Sequence, residues 1–194
     1  SAVCSAIAKA EGYDLYCLTI LYGQTHSFEI EKAKQLVTKL GALRHLILHV
    51  PLSEFGGSAL TGSEEIPKLR DLSEISNNIP PTYVPARNTV FLALALSLAE
   101  AISARDIFIG VNALDYSGYP DCRPGFIHAF ENLANLATKA GVEGGVFRIH
   151  TPLIKMSKSE IVKKGLELGV DFALTSSCYD PTPDGIPCLR CDAC

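Results

Sequence analysis

The sequence predicts an α/β fold, a doubly wound parallel sheet, and three observations carry that prediction. Helical patterns alternate with apolar strand patterns along the chain. The strand patterns are near-continuous apolar runs, as in a sheet covered on both faces. A length of 194 residues fits one domain, 1–194, with enough chain to bury a sizeable core.

The elements follow in order. Residues 2–10 are small and apolar and predict a helix, with Gly12 as its stop. Residues 14–22 (DLYCLTILY) read as a buried parallel strand. Residues 28–40 are amphipathic, with Ile30, Ala33, Val37 and Leu40 on one face, and Gly41 ends them. Residues 44–50 are a second strand. The stretch 51–83 is rich in Gly, Ser and Pro and weakly periodic, which predicts a lid or an interaction arm. After Pro85, residues 87–103 form a helix apolar almost all round, expected to be buried on every side. A strand at 106–110 leads into a loop of about fifteen residues, where two to six is usual. Residues 126–140 are again an amphipathic helix. Gly144 and Gly145 break the chain before a short strand at 146–150, and Ser157 with Glu160 forms a capping box that opens a helix to residue 168. Residues 175–194 are a tail of loop and cysteines, and no internal repeat is visible.

Composition narrows the function. A net charge of -4 and a pI near 5.7 argue against an extensive nucleic-acid surface. The longest apolar run, 90–99, is too short to cross a membrane. Four of the seven cysteines stand in the last seventeen residues at metal-ligand spacing, which points to a reducing compartment and hence the cytoplasm. Cys188, Cys191 and Cys194 are each three apart, and Cys178 lies ten upstream. Four thiolates suit a closed, tetrahedral, structural zinc. The alternatives are reduced free thiols or a redox pair at one C-x-x-C. Cys4 and Cys17 read as core, and Cys122 as a non-ligand.

Three motifs point to anions and a polar ligand. Arg87, in YVPARN, stands at the first turn of a helix, where backbone N–H groups and the dipole already favour negative charge; a surface-turn arginine is the bland alternative. Lys158 repeats the theme one residue into the capped helix. YGQTH (residues 22–26) follows a strand end, where its polar groups can meet an adenine or ribose, although a lone His26 is more often structural. The loop GVNALDYSGYPDCRPGF (110–126) sits where parallel sheets bind ligands. Its aspartates, tyrosines, asparagine and arginine suit a flat, hydrogen-bonding small molecule, with an ordered surface loop as the alternative.

YGQ-x-H, FGGSALT (55–61), TYVPARNT, GVNALDYSGYPDCRP, the IHTPL run and the C-x9-C-x2-C-x2-C tail occur in one order. Together they resemble the 7-cyano-7-deazaguanine synthases of queuosine biosynthesis over essentially the whole chain. The resemblance implies a PP-loop, adenine-nucleotide alpha-hydrolase-like fold, ATP with Mg²⁺, a structural zinc and a homodimer. The reaction it implies is ATP-driven conversion of 7-carboxy-7-deazaguanine and ammonia to the nitrile. Ser1-Ala2 is similar to the end of that family's SGG-x-DS phosphate loop, so the chain reads as a fragment, inactive alone. Its central strand would lie upstream, leaving strands 14–22 and 106–110 unpaired across a gap of roughly 9–10 Å. Thr25, Leu21 and Gly125 depart from the family's pattern.

For that chemistry the expected cations are Arg87, Lys158 and Arg123, with Ser1, Tyr22, Gln24, Arg87 and Lys158 on the nucleotide. Asp115 and Asp121 can accept from the deazaguanine N–H edge, and Tyr116 or Tyr119 can stack on it. The rival readings are another PP-loop ligase or tRNA-modifying enzyme, a thiolating enzyme using Cys122, and a zinc-ribbon module without catalysis.

Overall fold

The computed structural model describes residues 1–24, 28–70, 79–113 and 118–194. The chain runs α1 (Ala2–Ala10), β1 (Tyr16–Leu21), α2 (Phe28–Lys39), β2 (Arg44–His49), α3 (Arg87–Ala101), β3 (Asp106–Phe108), α4 (Pro124–Ala137), α5 (Lys139–Val142), β4 (Arg148–His150) and α6 (Lys158–Glu167). Short 3₁₀ turns lie at Leu52–Phe55, Pro120–Cys122 and Phe172–Leu174.

The strands pair in parallel, as the apolar runs predict. Tyr16 to Leu21 register with Arg44 to His49, and Asp106 to Phe108 with Arg148 to His150. The two pairs form separate two-stranded sheets among the described residues, so β1 and β3 are not hydrogen-bonded to each other. A slot of about 440 Å³ lies between them, lined by β1, β3, one side of α1 and one side of α3.

Helices cover both faces of the β3–β4 pair, because successive strand side chains point opposite ways. Ile107 joins Leu92, Leu96, Phe130, Ala134 and Phe147 in the main core, between α3 and α4. Its neighbour Phe108 packs instead on Val3, Cys4, Ile7 and Leu153, the cluster beneath α1 and α6. The close approach of α1 and α6 needs Gly165, where a Cβ would stand 2.5 Å from the Phe172 ring and 2.9 Å from Val3.

Two expectations change. Helix α3 is not buried all round: Asn88 and Leu96 are buried away from the slot, Leu92 and Ala99 are buried at its edge, Phe91, Ala95 and Leu98 line it half-buried, and Thr89, Ala93 and Ser97 are exposed. The helix expected at 126–140 begins at Pro124 and breaks at Thr138. There the side chain donates to Ala134 O (2.7 Å) and accepts from Gly141 N (3.1 Å), ending one helix and capping the next. The capping box at Ser157 and Glu160 is present as read from the sequence. No helix among the described residues is long and apolar enough to cross a membrane.

Candidate active site and metal centre

The carboxyl ends of β1 and β3 and the start of α3 converge on one region, where ligands bind in parallel α/β sheets. The backbone of Ser1, the N-cap of α1, comes so close to Gly110 that a Cβ there would lie 2.9 Å from the Ser1 nitrogen. A glycine is therefore required at that position. Beyond β1, Tyr22 N donates to Gln24 Oε1 at 2.9 Å, a local closure that holds the YGQ turn.

Arg87 opens α3 after Ala86, whose left-handed φ of 53° is strained for a residue with a Cβ. Tyr83 Oη accepts from Ala86 N at 3.0 Å and holds that kink. The Arg87 guanidinium lies over two rings, 5.5 Å from the Tyr22 centroid and 5.8 Å from that of Phe91. Its Nε is buried and has no hydrogen-bond partner among the described residues. Its pKa lies above the ordinary value: burial opposes the charge, and the Tyr22, Tyr179 and Asp121 side chains outweigh burial. A fully charged guanidinium with an unsatisfied N–H, beside a helix N-terminus, can receive an anion.

Asp121 and Tyr119 form the adjoining wall, and both are buried. Asp121 Oδ2 accepts from Asn88 N at 2.9 Å, so this carboxylate caps α3. Asn88 Nδ2 donates to Asp121 O (3.1 Å) and Cys122 Sγ (3.3 Å). Tyr119 Oη lies 2.8 Å from the hydroxyl of buried Thr82. Arg123, the N-cap of α4, is exposed. Asp115 and Tyr116 lie outside the described residues, as do Thr25 and His26.

Lys158 opens α6, and its Nζ donates to Ala193 O at 2.7 Å, which ties that helix to the cysteine tail. The Sγ atoms of Cys178, Cys188, Cys191 and Cys194 all lie within 4.8 Å of one another. Cys178–Cys191 and Cys188–Cys194 are 4.0 Å apart and Cys191–Cys194 3.5 Å. Four sulfurs about 2.3 Å from a tetrahedral ion stand about 3.8 Å apart, so the donor set fits zinc. Backbone amides also point at the sulfurs. Tyr179 N donates to Cys191 Sγ at 3.4 Å, Asp180 N and Cys188 N to Cys178 Sγ at 3.4 and 3.2 Å, and Arg190 N and Cys191 N to Cys188 Sγ at 3.5 and 3.3 Å. Burial works against the Cys188 thiolate, yet the amides of Arg190 and Cys191 prevail and pull its pKa down to about 7. Such a thiol is ready to ligate. Residues 68–70 grip this knuckle: the Lys68 backbone forms an antiparallel β-bridge with Cys191, and Arg70 pairs bidentately with Asp192.

Sequence reasoning passed over Asn88, Thr82, Tyr179 and Glu29. Glu29 lines the slot with Tyr22 and Phe91 and acts electrostatically on Arg87. In the sequence it reads only as an acid in the first turn of α2, where the dipole alone would favour one.

Comparison with known proteins shows the family. The family model described as Queuosine biosynthesis protein QueC matches residues 1–194. A "7-cyano-7-deazaguanine synthase" of Geobacter metallireducens is 59% identical over all of this chain and 81% of its own length. The protein of that name from Syntrophotalea carbinolica is 58% identical over all of this chain and 84% of its own. For Myxococcus xanthus the values are 53%, 100% and 84%. With the whole chain matched by the family model and by relatives well above half identical, the protein belongs to the QueC family of queuosine biosynthesis.

Proposed function

We propose that the protein is a 7-cyano-7-deazaguanine synthase, joining 7-carboxy-7-deazaguanine and ammonia at the expense of ATP. The observation that carries this reading is Arg87, whose guanidinium lies over two aromatic rings with a buried, unsatisfied Nε at the start of α3. A carboxylate is a poor electrophile, so its oxygen first takes a group from ATP. Ammonia then displaces that oxygen and leaves an amide. A second ATP activates the amide oxygen, whose loss with two protons gives the nitrile. Each activation gathers anions, and fixed cations supply the stabilisation. Arg87 and Lys158 are the proposed cations on the phosphates, with Arg123 a third, and Mg²⁺ arrives with the nucleotide. Ser1, Tyr22 and Gln24 line the nucleotide side. Tyr119 and Asp121, with Asp115 and Tyr116, form the proposed deazaguanine wall.

The four cysteines would hold zinc with every position closed by protein, a structural centre without a free coordination site. We also propose that the slot between β1 and β3 seats a β-strand that leads through a phosphate loop to Ser1. Both strands bordering it are apolar, and the relatives are longer than this chain. A homodimer, to which exposed Leu133, Leu136, Val142 and Val146 contribute, a cytoplasmic location and the lack of an extensive nucleic-acid surface complete the proposal.

One observation bears on the thiolating alternative. Cys122 is buried and accepts from Asn88, and burial, with Asp121 beside it, pushes its thiol up to about 11. A persulfide-forming nucleophile needs a thiolate near neutral pH. Full-length protein given 7-carboxy-7-deazaguanine, ammonium, ATP and Mg²⁺ should form the nitrile, seen by mass spectrometry. ATP consumption without nitrile, or a persulfide on Cys122, would defeat the reading.

A further inference from the structure

Tyr179 follows Cys178 directly and belongs to two side-chain clusters at once. With Ile66 and Cys188 it packs on Cys178, Cys191 and Ala193 in the knuckle. With Tyr22 and Val90 it packs on Leu52, Leu60 and Val84, the cluster beneath the start of α3. Its hydrogen bonds divide the same way. The amide donates to Cys191 Sγ at 3.4 Å, and the phenol lies 3.4 Å from Tyr119 Oη, itself 2.8 Å from Thr82 Oγ1.

This position matters because of how Arg87 is held. Its guanidinium rests on ring faces, and its buried Nε has no hydrogen-bond partner among the described residues. Ring faces fix a plane loosely, and beyond a hydrogen bond with the Tyr22 phenol the direction of the N–H groups depends on the surrounding wall. Thr82, Tyr83, Val84, Tyr119 and Asp121 are that wall. A displacement of about 1 Å at such a site can cost on the order of a hundredfold in rate.

We propose that Tyr179 is a positioning residue for the reaction: the cysteine knuckle fixes its backbone, and its phenol sets Tyr119 and the wall facing Arg87. The metal centre therefore shapes the pocket around Arg87 from outside it, with no coordination position of its own in the chemistry. This rests on the synthase reading for the identity of the reaction, but its binding consequence does not.

The test is Tyr179→Phe in full-length, metal-loaded protein, which removes one hydroxyl and keeps the ring. Metal content and melting temperature should stay at the parent values, while ATP affinity and kcat/KM for ATP fall about three- to tenfold. The KM for ammonia should not move. Tyr119→Phe, remote in sequence from the cysteines, should give the same loss, and the double variant should lose no more than either alone. Partial removal of the metal with a chelator should weaken ATP binding in the parent by a larger factor than in Tyr179→Phe. Unchanged ATP affinity in both single variants, additive losses in the double variant, or an equal chelator effect with and without the phenol would each overturn the proposal. Should ATP binding follow this pattern while no nitrile forms, the synthase reading fails and the positioning role stands.

Discussion

Helix α3 has two apolar flanks, and they are packed differently. On one, Leu96 is 7% exposed and packs in one cluster with Ala134 and Phe147, both at 0%. On the other, Phe91, Ala95 and Leu98 are half-buried and face the slot of about 440 Å³. The side chains are alike in chemistry, so hydrophobicity does not explain the difference. The first flank meets a helix and a complete strand pair, and the second meets the space between two pairs. A helix can present an apolar surface, but only a partner with matching backbone fills it.

The sharpest probe of this contrast is a pair of truncations. Leu96→Ala should cost about 2–5 kcal/mol in denaturant unfolding, because it opens a cavity in a packed cluster. Leu98→Ala should cost no more than about 1–1.5 kcal/mol, since its methyl groups already border open space. If a strand enters the slot in a longer form of the protein, the second value should rise toward the first. Equal costs in residues 1–194 alone would show that the slot closes in solution.

Where the flanks meet, Arg87→Ala should lower kcat/KM for ATP about ten- to hundredfold, the size of a charge-assisted contact of about 1.5–3 kcal/mol. Arg87→Lys should recover little, because a point charge does not replace a planar guanidinium on two rings. A melting temperature as low as that of Leu96→Ala would make Arg87 part of the core instead.

The thiols give a pH test. On the packed flank, burial raises Cys122 from an ordinary value of 9.0 to about 11. The folded state thus favours the neutral thiol, and its contribution is whole below pH 9 and lost as pH rises from 9 to 11. The loss is on the order of 3 kcal/mol and should vanish from the pH slope of Cys122→Ala. Cys17, half-buried in the slot, should be alkylated before the buried Cys122 at pH 8.5 in a peptide map. The smallest effect is expected at the strained start of α3. Ala86→Gly relieves the left-handed φ but frees the unfolded chain, for a net change under about 1 kcal/mol in thermal unfolding.

Local signals explain what the sequence disclosed. Strands β1 and β2 are apolar runs, α6 announces itself through Ser157 and Glu160, and the cysteine spacing places four sulfurs together within a few turns of chain. The two-sided character of α3 was hidden, because an apolar residue looks the same whether it meets a partner or a slot. The capping of α3 by Asp121 and the bond between Tyr119 and Tyr179 were hidden for another reason. They join residues 33 and 60 positions apart, and only the tertiary fold supplies that register.

The knuckle also bears on the order in which the chain folds. Its four thiols close loops of ten residues or fewer, whereas the pairing of Arg70 with Asp192 spans 122 positions. Closing a short loop costs less entropy than closing a long one, and a bound ion rewards it at once. The knuckle should therefore form early and offer the 66–70 segment a finished surface on which to dock. Refolding in the presence of zinc should bring Arg70 and Asp192 together in a faster step than refolding with the metal added last, followed by fluorescence labels on the two segments. A tail that looks like an appendage in the finished molecule would then be the template on which a distant part of the chain is laid down.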